Sequence, residues 1–301
     1  MDIRVSCGSE AKLGLRKLRT MVSTETIYLL TRGICHASCK FCSQSGTCES
    51  EKLSRINWNV WDFEKIVPML NGQKRVCIQC LNYPGIFDDL IEMVKRIKSP
   101  ISVSAQPFSL EEMHDLSKHV DRISISLDCF TRDLFNCYKS YYDWDLHWTR
   151  LKKAVEIFGK DHVISHVIVG LGETEQEAVE TMYDLFNIGA TPSLFAFTPI
   201  KGTYLESMRS PDLGQYRRIQ IARYLLSKKM IEPSEICYRD GRIISFGGLE
   251  NEVKTHTFQT WGCPNCNRPY YNEIPGKTIY NYPYNIFEEM LPGLISEAKL
   301  E

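Results

Sequence analysis

The sequence has no apolar run long enough to cross a membrane, no tract of like charge, and no repeated or low-complexity stretch. The first absence excludes a helical membrane span. The second removes the electrostatic footprint of a nucleic-acid binder, since 36 basic residues stand against 37 acidic ones at a net charge of −1. No long Gly/Ser/Pro linker divides the 301 residues, so one large domain with a small appendage is expected. Met1 leads straight into a charged segment without the apolar region of a secretory leader. The expected setting is a reducing cytoplasm of an anaerobic kind, with neither nucleic acid nor membrane as partner.

Against these absences stand twelve cysteines, whose irregular spacing does not read as a disulfide framework. Cys35, Cys39 and Cys42 crowd into the run Arg32-Gly-Ile-Cys-His-Ala-Ser-Cys-Lys-Phe-Cys42. A structural zinc site normally shows paired ligands, and this loop supplies an uneven trio. Inert thiols would be scattered along strands and helices, as Cys129 and Cys137 are. Iron–sulfur clusters usually take four thiolates. Three without a fourth leave one iron open, and an open metal position is where a ligand binds and reacts.

The rest of the chain alternates short β-branched runs with segments of helical period, the pattern of a parallel βα sheet. Strands are expected at 26–30, 75–80, 101–104, 122–127, 163–169 and 193–197. One helix between them places Phe87, Leu90, Ile91, Val94 and Ile97 on a single face, and another does so with Ala178, Val179, Met182, Leu185 and Phe186. Six such units read more naturally as a partial (β/α)6 barrel over 26–232 than as a doubly wound sheet, which has the same periodicity, with an extension over 1–25 before it and a region over 233–301 after it. The cysteine loop follows the first strand, at the carboxyl edge where α/β chemistry sits.

The three-then-two spacing with an aromatic before the last Cys closely resembles the signature of the radical S-adenosylmethionine (radical SAM) enzymes. The resemblance implies a 4Fe–4S cluster whose open iron chelates S-adenosylmethionine, with release of a 5′-deoxyadenosyl radical on reduction. It also sets Phe41 beside the adenine. Other loops at the same edge offer groups for the methionyl, ribose and adenine parts: Gln79 and Asn82 after the second strand, Ser124 and Asp128 on the fourth, Gly170 and Glu173 after the fifth. Asp128 as a helix cap and Gly-x-Gly-Glu as a plain turn are the simpler readings. No residue is singled out as an acid, base or nucleophile.

Residues 237–283 are rich in Gly, Pro, Asn and Tyr around Gly262-Cys-Pro-Asn-Cys266. The Cys263–Cys266 pair has three readings: half of a zinc knuckle completed by Cys237 and His256, a redox dithiol, or a second iron–sulfur cluster with Cys7 as partner. Cys77, Cys80 and Cys129 could imitate a cluster site inside the barrel on ligands from several strands, but they read as core thiols, since the fifth and sixth strands offer no Cys. Strand alternation points Cys77 and Cys80 to opposite faces, and buried free cysteine is common.

Nearly the whole chain resembles the biotin-synthase-like radical SAM proteins that act as two-component lipoyl synthases. The resemblance rests on Arg4-Val-Ser-Cys-Gly-Ser-Glu-Ala-Lys-Leu-Gly-Leu15, Asn82-Tyr-Pro-Gly85, Gly170-Leu-Gly-Glu-Thr174 and Pro192-Ser-Leu-Phe-Ala-Phe-Thr-Pro199. Above all it rests on Phe258-Gln-Thr-Trp-Gly-Cys-Pro-Asn-Cys-Asn-Arg-Pro-Tyr-Tyr-Asn272. It implies an auxiliary 4Fe–4S cluster consumed as sulfur source, on Cys263, Cys266 and Cys7, with Cys237, Ser6 or Ser9 as candidate fourth ligand. The implied reaction is sulfur insertion at carbon 6 or 8 of an octanoyl chain on a carrier-protein lysine. Phe195, Phe197 and Tyr204 would line its apolar channel. The implied partners are the octanoylated lipoyl-carrier protein, a second homologous radical SAM component, and an electron donor such as ferredoxin or flavodoxin. Competing readings are another biotin-synthase-like sulfur transfer and a non-catalytic metal-binding subunit of a catalytic partner.

Overall fold

The computed structural model describes residues 1–46, 50–274 and 276–301. The chain opens with β1 (Asp2–Ser6), α1 (Cys7–Lys12), β2 (Ile27–Thr31), β3 (Lys52–Leu53), β4 (Ile56–Asp62) and α2 (Phe63–Leu70). A βα series follows: β5 (Val76–Gln79), α3 (Ile86–Arg96), β6 (Ile101–Ala105), α4 (Leu110–Leu116), β7 (Arg122–Ile125), α5 (Arg132–Tyr138) and α6 (Trp144–Phe158). It continues with β8 (Val163–Val169), α7 (Glu175–Asn187), β9 (Thr191–Ala196) and α8 (Leu213–Ser227). The chain ends in a hairpin of β10 (Cys237–Arg239) and β11 (Arg242–Ser245), short 3-10 turns and α9 (Leu291–Ser296).

Nine of these strands form one sheet in the order β3-β4-β1-β2-β5-β6-β7-β8-β9. From β2 to β9 every pairing is parallel. These are the six strands expected from the sequence, in sequence order, and they curl into a half-barrel. The antiparallel edge of β1, β4 and β3 was not anticipated. Its pattern is legible afterwards, because Ile3 and Val5 alternate with Arg4 and both are fully buried.

Strand alternation divides the side chains between two environments. Ile27 and Leu29 of β2, Val76 and Ile78 of β5 and Ile123 and Ile125 of β7 join the core beneath the helices. Burial of each such side chain contributes about 1.5–3 kcal/mol. The alternate residues of β2, Tyr28 and Leu30, face the concave side with Trp58, Leu81 and Tyr271. The helices start where their sequence caps allow. Ser109 with Glu112 and Thr174 with Glu177 form reciprocal capping boxes on α4 and α7.

The C-terminal segment is tied to the barrel through buried arginines of α8. Arg218 forms a two-pronged pair with Glu175 at 2.8 and 2.6 Å, and Glu175 also accepts the Ile243 N–H at 2.8 Å. Arg217 donates to the carbonyls of Tyr280 and Ile279 and to the Glu297 carboxylate, each at 2.7 Å. These bonds fix residues 279–280 and the C-terminal helix against α8.

Candidate active site

The half-barrel encloses a cavity of ≈ 260 Å³, lined by Cys35, Cys39 and Cys42 and also by Cys263 and Cys266. The two groups approach it from opposite ends. Cys35 follows the carboxyl end of β2. The 263–267 loop instead bonds to residues just before the strands begin. Thr26 Oγ1 donates to the Asn265 carbonyl at 2.8 Å, Glu25 N–H to Asn267 Oδ1 at 2.9 Å, and Arg75 Nε to the Pro264 carbonyl at 3.0 Å.

The 35–46 loop is shaped by its own backbone. His36 N–H donates to the Asn82 carbonyl at 2.7 Å, Lys40 N–H to Tyr138 O at 2.9 Å, and Gly46 N–H to Ala37 O at 3.2 Å. A Cβ at residue 46 would stand 2.8 Å from the Cys35 carbonyl, so the loop closes only with glycine there. Burial pushes the Cys39 thiol well up, and the nearby Lys139 ammonium opposes that shift. Lys139 is fully buried, 2.9 Å from Asp128 Oδ2 and donating to the Ser126 carbonyl at 2.7 Å. The three soft sulfur donors fit an iron–sulfur group.

Phe41, Gln79, Asn82, Ser124 and Asp128 line the same cavity. Asn82 Nδ2 donates to the Tyr142 hydroxyl at 3.0 Å, and Gln79 Nε2 to Cys77 Sγ at 3.0 Å. Ser124 is 4% exposed and its hydroxyl has no hydrogen-bond partner, which leaves a polar atom for a ligand to satisfy. Asp128 pairs with Lys139 rather than capping a helix.

Gly170 and Glu173 stand elsewhere, because their loop turns back on itself instead of into the cavity. Glu173 accepts the N–H groups of Gly170 at 2.6 Å and Leu171 at 2.9 Å. Burial pushes its carboxyl up to about 7. At Gly170, φ is +100° and a Cβ would lie 2.9 Å from Pro211.

Around the second cysteine pair, Asn265, Arg268 and Tyr270 take φ of 64°, 39° and 62°, an unusual density of left-handed non-glycine backbone. Burial pushes the Cys263 thiol up to about 11, the opposite of what an activated redox dithiol requires. Cys237 is exposed on the β10–β11 hairpin and does not line the cavity, while His256 stacks on Trp261 at 6.0 Å. A zinc knuckle through Cys237 is therefore not assembled. Cys7 opens α1, where Ser6 caps Ser9 and Ser9 Oγ accepts the Tyr28 N–H. The Cys7 thiol is half-buried and does not line the cavity.

Two expectations need correction. Cys77 is not an inert core thiol, since β5 aims it into the cavity. Cys80, just past that strand, packs against the core as expected but also borders the cavity, and Cys129 is fully buried as expected. Tyr204 is 77% exposed beneath Lys40 and does not line the cavity, while Phe195 and Phe197 do. Sequence reasoning missed Arg268, Lys139 and His166. His166 is half-buried with its Nδ1 3.1 Å from Ser126 Oγ, and desolvation lowers its pKa to about 3, so the ring is neutral. A histidine within a strand carries no local sign of that role, but the inward register shared with Ser126 would have pointed to it.

Among solved structures the fold is similar to HydG, a maturase of the [FeFe]-hydrogenase, with a TM-score of 0.56 at 16% identity over 67% of this chain and 50% of that one. It is also similar to the methylornithine synthase PylB, with a TM-score of 0.53 at 15% identity over 64% of this chain and 59% of that one. The chain thus spans little more than half the length of either, and at these identities the likeness is one of fold. No curated protein matches it. Among the described residues no helix is long and apolar enough to cross a membrane. The Radical SAM superfamily matches over residues 29–185, just over half of the sequence, and that span contains the three-cysteine loop, four whole parallel strands and the end of β2. The chain belongs to the radical SAM superfamily, whose membership implies a 4Fe–4S cluster and S-adenosylmethionine.

Proposed function

We propose that this chain is one component of a lipoyl synthase, inserting sulfur into the octanoyl chain of an octanoyl-lysyl carrier protein. The observation that carries the reading is the single cavity with a three-thiol loop at one end and a thiol pair at the other. When bound, the two groups would supply a 5′-deoxyadenosyl radical that removes one hydrogen atom at carbon 6 or 8, and the sulfur that replaces it, with the remaining electron taken up by iron.

The protein's own residues shape what lies between. Ile168, Phe195 and Phe197 give the cavity an apolar wall suited to a hydrocarbon chain. Its buried groups exclude water, which would otherwise compete as solvent or hydrogen donor. Asp128 is charge-paired with Lys139, and Arg75 with Asp121 at 2.8 Å, so neither pair offers a free charge to the substrate. Arg75 and Arg268 stand at the amino ends of the strands, beside the thiol pair. Among the described residues the carboxyl edge has no cationic cluster for a free fatty acid, which favours a neutral, lysine-tethered amide.

The experiment is anaerobic incubation with an octanoyl-lysyl peptide, S-adenosylmethionine and dithionite, followed by mass spectrometry. A mono-thiolated peptide is expected, with the second sulfur requiring a homologous component and the electrons supplied in the cell by a ferredoxin or flavodoxin. Full lipoyl formation by this chain alone would refute the two-component reading. Cys263→Ala with Cys266→Ala should keep 5′-deoxyadenosine formation and abolish sulfur transfer. Stoichiometric zinc in the anaerobically purified protein would make that pair structural instead.

A further inference from the structure

Cys77 comes from the middle of a barrel strand, yet it lines the cavity beside both thiols of the C-terminal loop. Cys77 and Cys266 pack against one cluster containing Tyr28, Trp58 and Tyr271. The register explains the meeting. Tyr28, Cys77 and Ser102 are direct neighbours across β2, β5 and β6, in the layer that the 263–267 loop covers. Two of the sulfurs already receive hydrogen bonds, Cys77 from Gln79 at 3.0 Å and Cys266 from the Tyr28 hydroxyl at 3.4 Å.

A buried cation completes the group. Arg268 is 8% exposed, with its guanidinium 3.8 Å from the centre of the Phe195 ring. Its Nη2 donates to Ser193 Oγ and the Trp261 carbonyl, both at 3.1 Å, but its Nη1 has no partner. A buried charged donor without an acceptor is costly, and an anion held in the cavity beside it removes that cost.

We propose that Cys77, Cys263 and Cys266 together hold one iron–sulfur cluster at the amino-terminal end of the strands, with the Arg268 guanidinium as its counter-charge. The proposal rests on the reading that the C-terminal loop carries a cluster, and it replaces Cys7 by Cys77 as the third thiol. No three His, Cys, Asp or Glu side chains among the described residues are spaced to hold a single ion. A cluster makes no such demand, because each thiol takes its own iron.

The test uses the full chain with Cys35, Cys39 and Cys42 changed to Ala, so that iron bound elsewhere is read by itself. After anaerobic reconstitution with ferrous iron and sulfide, iron and acid-labile sulfide per chain and the Mössbauer spectrum are measured. One cluster is expected in this background. Adding Cys77→Ala should remove most of the iron, and adding Cys7→Ala should leave it. The reverse pattern overturns the proposal and spares the cluster reading, whereas an iron-free background overturns both.

Cys77→Ser separates lost ligation from lost folding, since it nearly preserves the side-chain volume. Loss of iron, or altered Mössbauer parameters for one iron, is expected with unchanged circular dichroism; an unchanged spectrum overturns the proposal. Arg268→Met should move the cluster's reduction potential to more negative values, and Arg268→Lys should restore it. Equal potentials in all three proteins would remove the counter-charge role.

Discussion

The Tyr28 hydroxyl donates to Cys266 Sγ at 3.4 Å and accepts the backbone N–H of Arg268 at 3.1 Å, joining the first parallel strand to the C-terminal loop. One side chain thus holds both the thiol and the cationic residue of that loop. Tyr28→Phe keeps the ring against Tyr271, whose centroid is 5.4 Å away, but strands the buried Arg268 N–H. The expected loss is about 1–3 kcal/mol of unfolding free energy. Denaturant titration of the metal-free protein measures it, and an unchanged midpoint would show that the loop does not depend on this bond.

Cys35→Ala, Cys39→Ala and Cys42→Ala should each abolish 5′-deoxyadenosine formation. Two remaining thiols cannot hold a four-iron cluster with a usable open position. Chromatography of the reduced reaction mixture decides it, and substantial cleavage by any one variant contradicts the assignment.

Glu175 ties three elements together, pairing with Arg218 of α8 and accepting the Ile243 N–H of β11 from the first turn of α7. Both partners of the pair are nearly fully buried. Removing one strands the other, so Glu175→Ala should cost about 3–5 kcal/mol. A urea midpoint within error of the parent protein would show that water reaches the pair.

Glu173 gives stability a pH dependence of defined sign. Burial raises its carboxyl from 4.5 to about 7 against the favourable Gly170 and Leu171 N–H bonds. Between those values the folded chain keeps a proton that the unfolded chain has released. The contribution is complete below 4.5 and is lost as pH rises through 7. Relative to the parent, Glu173→Gln should therefore gain up to about 3 kcal/mol between pH 4.5 and 7. Melts of both proteins across that range measure the difference, which must stay flat if the carboxyl titrates normally.

Much of this was readable one segment at a time. The Cys35–Cys42 loop announces itself because its three thiols are close in sequence, and a strand end is a local feature. The six parallel strands follow from β-branched runs, and Val163–Val169 matches its expected bounds. The β1–β4 edge escaped notice because two short alternating segments, 2–6 and 56–62, gain meaning only when paired with each other.

By itself the sequence determined the superfamily chemistry, the order of the βα units and the candidate thiols, since each depends on spacing within a few residues or on a repeated period. Tertiary structure alone decided which thiols share a site. Strand alternation turns Cys77 inward, but the register of β2 against β5 sets it beside Tyr28. Bonds from Thr26, Tyr28 and Arg75 to the C-terminal loop bring in Cys263, Cys266 and Arg268 from nearly two hundred residues further along the chain. Glu173 shows the converse: its motif resembles a ligand loop, yet two backbone N–H groups within its own turn claim the carboxylate first. Side-chain direction and partner choice follow from long-range packing, which local pattern does not encode.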